Sequence, residues 1–224
     1  MIKNADNVEP VPYNWLSPIR LLDEEIVIIS KVMNQLVREL ETYMPYHITF
    51  KVTITMEEAK LIPYCEFAQK INSTQSGWLG RLDDKSGKFA MLWDENTIAP
   101  LLYGVSGGSI TGAIRRTQRK QREITDIEMS ILADYIIRCF ISPIRFVFSN
   151  YDSNFNPRLD TLEYQYRAMQ MIFSDSERSL VFTMKFIWRD ETEECIESKC
   201  YMIFSQEFLR NFNWRQQKWQ NLKK

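Results

Sequence analysis

Glycines and basic side chains are concentrated in the middle of the chain, between positions 104 and 122. Glycine permits positive φ and leaves backbone amides accessible, and neighbouring cations create a local positive potential. This combination is typical of a docking loop for an acidic protein surface, but a solvated linker between two halves of a domain would have the same composition. The residues alone leave both interpretations open. The candidate partner-binding residues are Gly104, Gly107, Gly108, Arg115, Arg116 and Arg119.

The glycine-rich segment does not have the spacing of a nucleotide site. From Gly104 to Gly112 it reads GVSGGSITG, which lacks both the GxGxxG order and the GK[ST] ending of phosphate-binding loops. It also follows an apolar helical pattern rather than a strand. We therefore expect no nucleotide to bind there.

Catalytic and metal-binding patterns are missing as well. The single histidine, His47, is not part of an HExxH motif, and there is no GxSxG motif. The four cysteines contain no CxxC pair, so we expect reduced thiols and no zinc site. Glutamates 191, 193, 194 and 197 lack the pattern of a calcium loop, and a solvated turn is expected there. We predict no metal, no cofactor and no enzymatic activity.

Composition limits the class of protein further. The 224 residues carry a formal net charge of -1, which gives no global attraction to nucleic acid or to an anionic membrane. There is no N-terminal apolar signal region, and no stretch approaches the roughly 20 apolar residues of a membrane-spanning helix. We expect a protein that is neither secreted nor inserted into a membrane.

Two similar series of elements are predicted along the chain. From Asp23, apolar residues recur at helical spacing up to Pro45, and Ile48 to Ile54 then alternate as a strand. A second helix begins at a capping box, in which Thr125 and Glu128 stand three residues apart, with Ile124 and Met129 as a hydrophobic staple. We expect Pro143 to end this helix, and Ile144, Phe146 and Phe148 to alternate as a strand.

A later part of each series repeats at a fixed offset. The segment Lys88–Asp94 aligns with Lys199–Ser205, an offset of 111 because 199 minus 88 is 111, and Leu92 corresponds to Ile203. Each copy is predicted to be a strand followed by an Asp or Ser N-cap and a helix. A hairpin precedes each copy, and the even-numbered residues from Leu180 to Trp188 are expected to face the core.

These repeats predict an α+β fold of two halves related by a pseudo-twofold axis, with an antiparallel or mixed central sheet covered by helices. Trp214 is expected to fold back onto the core, and Trp219 is the better candidate for contact with another protein. We expect an extended arm at 1–22, a domain at 23–212 with halves at 23–110 and 123–212 joined by a glycine-rich basic linker at 104–122, and a basic tail at 213–224.

The segment Arg122-Glu-Ile-Thr125-Asp-Ile-Glu128, after a glycine-rich turn and a basic linker, resembles the junction of flagellar motor switch proteins of the FliM type. The resemblance covers the middle domain of that family, residues 23–212 here. It implies a duplicated fold shared with the CheC and CheX phosphatases. The C-terminal SpoA domain and the segment that binds phosphorylated CheY are not found in this sequence.

The resemblance also implies a function and partners. FliM-type proteins are non-catalytic scaffolds of the motor switch, or C-ring, with roles in motility and chemotaxis. In them the glycine-rich loop binds FliG, neighbouring copies pack side by side in the ring, and the SpoA domain pairs with FliN. For this chain it implies FliG-like and FliN-like partners, and a cytoplasmic position peripheral to the inner membrane at the flagellar basal body.

Two alternatives are weighed against this interpretation. The first is the equivalent SctQ-type ring component of a type III secretion system. The second is a CheC-like phosphatase, which needs a Glu and an Asn one helical turn apart to orient a water. Asn34 is preceded by Lys31 instead of a Glu, and Asp134 is followed by Ile137 instead of an Asn. Phosphatase activity is therefore not expected.

Overall fold

The computed structural model describes residues 23–74, 77–84, 86–118, 125–164, 173, 177–191, 194–212 and 214. Several expectations from the sequence lie outside the described residues, namely the arm at 1–22, the staple residue Ile124, Arg119 and Trp219.

Seven helices and six strands make up the described part of the chain. The helices are α1 (Asp23–Tyr43), α2 (Tyr64–Thr74), α3 (Glu95–Val105), α4 (Ile110–Gln118), α5 (Asp126–Ile136), α6 (Ser142–Ser149) and α7 (Gln206–Asn211). The strands are β1 (Lys51–Pro63), β2 (Gly77–Asp84), β3 (Gly87–Asp94), β4 (Arg158–Tyr164), β5 (Arg178–Arg189) and β6 (Cys195–Phe204). A short 3-10 turn, Met44–Tyr46, contains Pro45 and ends α1 as the sequence predicts.

The six strands form one antiparallel sheet in the order β1-β5-β6-β3-β2-β4. When β1, β2 and β3 are exchanged with β4, β5 and β6, the same order results, read from the opposite edge of the sheet. In the central pair, β3 and β6, Met91 lies opposite Met202. Because Met91 plus 111 is Met202, the offset read from the sequence relates two residues that are also direct partners. The pseudo-twofold axis therefore passes between these two methionines, and the α+β duplicated fold is confirmed.

Each face of the sheet carries its own apolar cluster. Alternate residues of the central strands, such as Met91 and Met202, pack with α1 and α3 to α7 in the larger cluster. Leu92 and Ile203 point to the opposite face, where they pack against α2. Both side chains are fully buried, so their predicted equivalence is confirmed.

The local chemistry that starts the two equivalent helices also agrees with the sequence. Asp94 caps α3 by accepting a hydrogen bond from the backbone N–H of Thr97 at 2.8 Å. Ser205 caps α7 by accepting one from Phe208 at 3.0 Å. Along β5 the even-numbered residues from Leu180 to Trp188 are buried, as expected.

The strand predicted at Ile144 to Phe148 is wrong. These residues form α6, in which Ile144 and Phe148 are buried and Phe146 is exposed, as helical spacing requires. Pro143 does not end the preceding helix because the chain widens into a π turn at Ile137–Ile141. A proline in a helix interior lacks an N–H and clashes with the carbonyl four residues back. Pro143 instead lies in the first turn of α6, directly after the π turn, where an N–H has no partner within the helix.

The strand of the second half that is equivalent to β1 is therefore β4, which pairs with β2 at the other edge of the sheet. β1 itself begins at Lys51 instead of Ile48 and continues to Pro63, longer than predicted. Ile48 and Phe50 are nevertheless buried, just before the strand begins. Alternation identified the buried residues but not the limits of the strand.

Aromatic side chains close the core near the end of the described chain. The Trp214 ring lies 4.5 Å from that of Phe212 and 6.0 Å from that of Phe148, measured between centroids. Its indole N–H donates to the carbonyl of Leu209 at 3.2 Å. Trp214 is buried, as predicted.

The four cysteines are free thiols, and burial raises the pKa of Cys139 to about 12. Within the described ranges, no helix combines the length and apolarity needed to cross a bilayer.

Candidate protein-binding site

The glycine-rich segment folds as an elbow, which we define as residues 103–118. It consists of the end of α3, the turn that follows it and α4. Helix α3 ends at Val105, and Gly107 follows in the left-handed region with φ +69°. The N–H of Gly108 donates to the carbonyl of Tyr103 at 2.7 Å, the bond that closes a Schellman turn. Gly107 is needed here because an L side chain rarely adopts this backbone conformation. The predicted loop is thus a short, hydrogen-bonded turn.

Two of the glycines make room for the ring of Tyr103. A Cβ atom on Gly108 would lie 2.7 Å from Tyr103 Cδ1, and one on Gly112 would lie 2.6 Å from Tyr103 Cε1. Both distances are far shorter than ordinary van der Waals contacts, so the ring can pack against the α4 backbone only because these residues are glycines. Gly104 is buried against Phe50.

The start of α4 is held by the turn between β5 and β6. Asp190 Oδ2 accepts a hydrogen bond from the backbone N–H of Ile110 at 2.9 Å, and Glu194 Oε2 accepts one from Thr111 Oγ1 at 2.5 Å. Ser109 Oγ accepts from the N–H of Gly112 at 3.1 Å. The sequence predicted a solvated turn here. The structure differs, because two carboxylates of this turn bind α4. No group of metal-ligating side chains occurs among the described residues.

Further along α4, Arg116 is engaged within the domain. Arg116 Nη1 lies 2.8 Å from Glu128 Oε1, and the two side chains are only 13% and 21% exposed. The predicted capping box is confirmed: the Thr125 N–H donates to Glu128 Oε2 at 3.0 Å, and the Glu128 N–H donates to Thr125 Oγ1 at 3.2 Å. The hydrogen bond from the Arg116 guanidinium lowers the pKa of Glu128 to about 2.

These contacts divide four of the six predicted site residues into two groups. Gly107 and Arg115 are exposed and form the accessible part of the elbow with Ser106 and Ser109. Gly104 is buried, and Arg116 faces Glu128. In the domain without a partner, packing occupies Gly104 and an internal ion pair occupies Arg116.

Reasoning from the sequence missed the residues that position the elbow. Tyr103, Asp190 and Glu194 were not among the candidate partner-binding residues. The acidic turn was noticed, but nothing in its spacing shows that it contacts Ile110, which lies 80 residues earlier. The capping box did identify Glu128, although not its second bond, to Arg116.

The two helices tested for the phosphatase pair provide no catalytic arrangement. Lys31 and Asn34 are exposed on α1. On α5, Asp134 Oδ2 lies 3.0 Å from Arg138 Nε, as an ion pair within the helix. Neither helix supplies the Glu and Asn that would orient a water, so no observation on α1 or α5 favours the phosphatase alternative.

A six-stranded antiparallel sheet of two equivalent halves, covered by helices, defines a duplicated α+β domain. A sequence model of the family described as "Flagellar motor switch protein FliM" matches residues 22–197. The chain belongs to the FliM family.

Solved structures show the same fold. The chain is similar to the FliM middle domain from H. pylori, with a TM-score of 0.68 and 16% identity over 85% of this chain and 99% of that one. It is similar to a chain of the FliG–FliM complex from H. pylori, with a TM-score of 0.69 and 18% identity over 85% and 100%. Thermotoga maritima FliY gives a TM-score of 0.65 and 14% identity over 87% and 96%. A search of curated protein sequences found no significant match.

Proposed function

We propose that this chain is a non-catalytic scaffold of the bacterial flagellar motor switch, and that its elbow binds a FliG-like rotor protein. Membership of the FliM family supports the scaffold role. The observation that carries the proposed site is the exposed left-handed turn at Gly107, followed on α4 by the exposed cation Arg115. A short turn with a neighbouring positive charge suits an acidic protein surface, because rim charges speed the encounter of partners.

The similar structure of a FliG–FliM complex gives the rotor protein as the first partner to test. We further propose that the domain, with the boundaries 23–212 expected above, packs beside neighbouring copies of itself in a ring. Its other proposed partner is a FliN-like protein with a SpoA domain. The proposed location is the cytoplasmic face of the flagellar basal body. No specific observation favours the type III secretion ring or the phosphatase.

The test is a binding measurement between the purified chain and the FliG-like protein of the same organism. We expect Arg115→Glu to slow association and to weaken its dependence on salt, because Arg115 would steer an acidic surface. The matched control is Arg145→Glu, an exposed arginine on α6. The proposed function fails if the wild-type chain does not bind the FliG-like protein. The proposed site fails if Arg115→Glu and Arg145→Glu have the same effect.

A further inference from the structure

Helix α4 has little apolar anchorage of its own. It is nine residues long, with Ile110 and Ala113 buried and Ile114 half-buried against the core. Isolated helices of this length are marginal in water, so tertiary contacts must hold it in place. The ring of Tyr103 supplies one contact from α3, through Gly108 and Gly112. Apart from the local hydrogen bond between Gly112 and Ser109, the polar contacts described above come from the second half of the domain.

Three carboxylates of the second half bind the two ends of α4. Asp190 and Glu194 lie at its start, where the positive end of the helix dipole favours negative charge. Glu128 lies near its end and binds Arg116. The first two carboxylates belong to the turn between β5 and β6, and the third belongs to the first turn of α5.

Breaking the ion pair between Arg116 and Glu128 at the end of α4 is energetically unfavourable. Arg116 Nη2 is buried and has no hydrogen-bond partner among the described residues, where Glu128 is the group that compensates the charge of Arg116. Removing one member of a largely buried ion pair leaves an uncompensated charge, which favours exposure of the other member to water. Loss of the Glu128 charge would therefore favour release of the α4 end from α5.

We propose that Asp190, Glu194 and Glu128 act as a latch that holds α4 in place, and that this latch couples the turn between β5 and β6 to the protein-binding elbow. The three carboxylates are positioning residues: they act on a partner through the orientation of α4. The consequence for binding rests on the proposed function of the elbow, whereas the latch itself is a property of the isolated domain. Because a nine-residue helix forms cooperatively, loosening its start should also loosen its end.

Amide hydrogen exchange on the purified chain tests the latch without a partner. The informative amides are those of residues 113–118, which lie past the first turn of α4 and so report on the helix itself. We expect Asp190→Asn and Glu194→Gln to accelerate their exchange roughly three- to tenfold. The matched control is Glu191→Gln, on the same turn and exposed, which should leave exchange unchanged. Asp190→Glu keeps a carboxylate and should restore most of the protection.

The expected acceleration is confined to α4, with an unchanged melting temperature and unchanged exchange in the central strands. This separates positioning from a general loss of stability. The latch is overturned if both acid variants exchange like the wild type at residues 113–118, or if Glu191→Gln accelerates exchange equally. It is also overturned if the change is limited to residues 110 and 111, because the two ends would then be uncoupled.

Binding of the FliG-like protein is measured on the same variants. If the latch positions the elbow, Asp190→Asn should weaken binding roughly two- to fivefold although Asp190 contacts α4 and not the partner. If wild-type protein does not bind the FliG-like protein, the proposed function fails while the exchange data still decide the latch. If exchange accelerates but binding by Asp190→Asn equals that of the wild type, the coupling to the elbow is refuted.

Discussion

Replacement of Glu128 by Gln tests how strongly the two halves are connected at the end of α4. Glu128 accepts bonds from Arg116 Nη1 at 2.8 Å and from the Thr125 N–H at 3.0 Å. These favour the carboxylate and lower its pKa from an ordinary 4.5 to about 2. A glutamine keeps the shape and one acceptor oxygen but removes the charge, so the variant isolates the electrostatic contribution.

The magnitude follows from the difference between the two pKa values, which corresponds to about 3 kcal/mol. A fifth of the side chain is exposed, so solvent screening reduces this value. We therefore expect Glu128→Gln to lower the free energy of unfolding by about 1 to 2 kcal/mol at about pH 7.

The pH dependence provides the sharper test. The pKa of Glu128 is lower in the folded than in the unfolded state, so its contribution is fully present above the unfolded value of about 4.5 and is lost as the pH falls towards about 2. The difference between wild type and Glu128→Gln should thus shrink between about pH 5 and about pH 3. Urea unfolding followed by tryptophan fluorescence at several pH values measures it.

Asp126→Asn is the matched control, because Asp126 is an exposed acid in the same first turn of α5. It should cost about 0.3 to 1 kcal/mol, the usual effect of charge near a helix start. The reasoning is refuted if Glu128→Gln costs no more than Asp126→Asn, or if its cost at about pH 3 equals that at about pH 7.

Three further predictions concern the core, the helix cap and the elbow turn. Leu92→Ala and Ile203→Ala should each lower the free energy of unfolding by about 2 to 5 kcal/mol, because both side chains are fully buried; urea unfolding with a cost under about 1 kcal/mol for either would contradict their equivalence. Thr125→Ala should cost about 0.5 to 2 kcal/mol through loss of the N-cap bond, and an unchanged thermal melt would count against the capping box. Gly107→Val should destabilise by at least about 1 kcal/mol because φ is +69°, whereas Gly107→Asn should be better tolerated; equal melting temperatures for the two would show that the backbone conformation is not required.

The parts of the fold that could be predicted from sequence are those decided by neighbouring residues. The capping box at Thr125 and the N-caps Asp94 and Ser205 each depend on residues within one turn. The offset of 111 identified β3 and β6 as equivalent strands, because each is followed by an N-cap and a helix in the same pattern. These features together were enough to indicate the family.

The errors arise where the chain departs from regular geometry. Pro143 lies in the first turn of α6, directly after a π turn, and no local residue pattern predicts that turn. Ile144, Phe146 and Phe148 alternate in sequence, but Val147 is buried beside them. A run of apolar residues fits both a strand and a buried helix, so tertiary packing decides.

The site shows the same limit at the scale of single residues. Arg115 and Arg116 are adjacent in sequence and were predicted to act together. Successive residues of a helix point about 100° apart, so Arg115 is exposed while Arg116 reaches Glu128. Which of two neighbouring cations is available to a partner depends on what packs beside the helix, and that information comes from the second half of the domain.

Site-specific photo-crosslinking tests most directly whether the elbow is the FliG-binding surface. A photoreactive benzoylphenylalanine replaces Ser106, which is exposed in the elbow, or Ser153, which is exposed in the loop between α6 and β4. After irradiation of the complex with the FliG-like protein, we expect an adduct from position 106 and none from position 153. An adduct from position 153 alone, or none from position 106 although the two proteins co-purify, would contradict the proposed site.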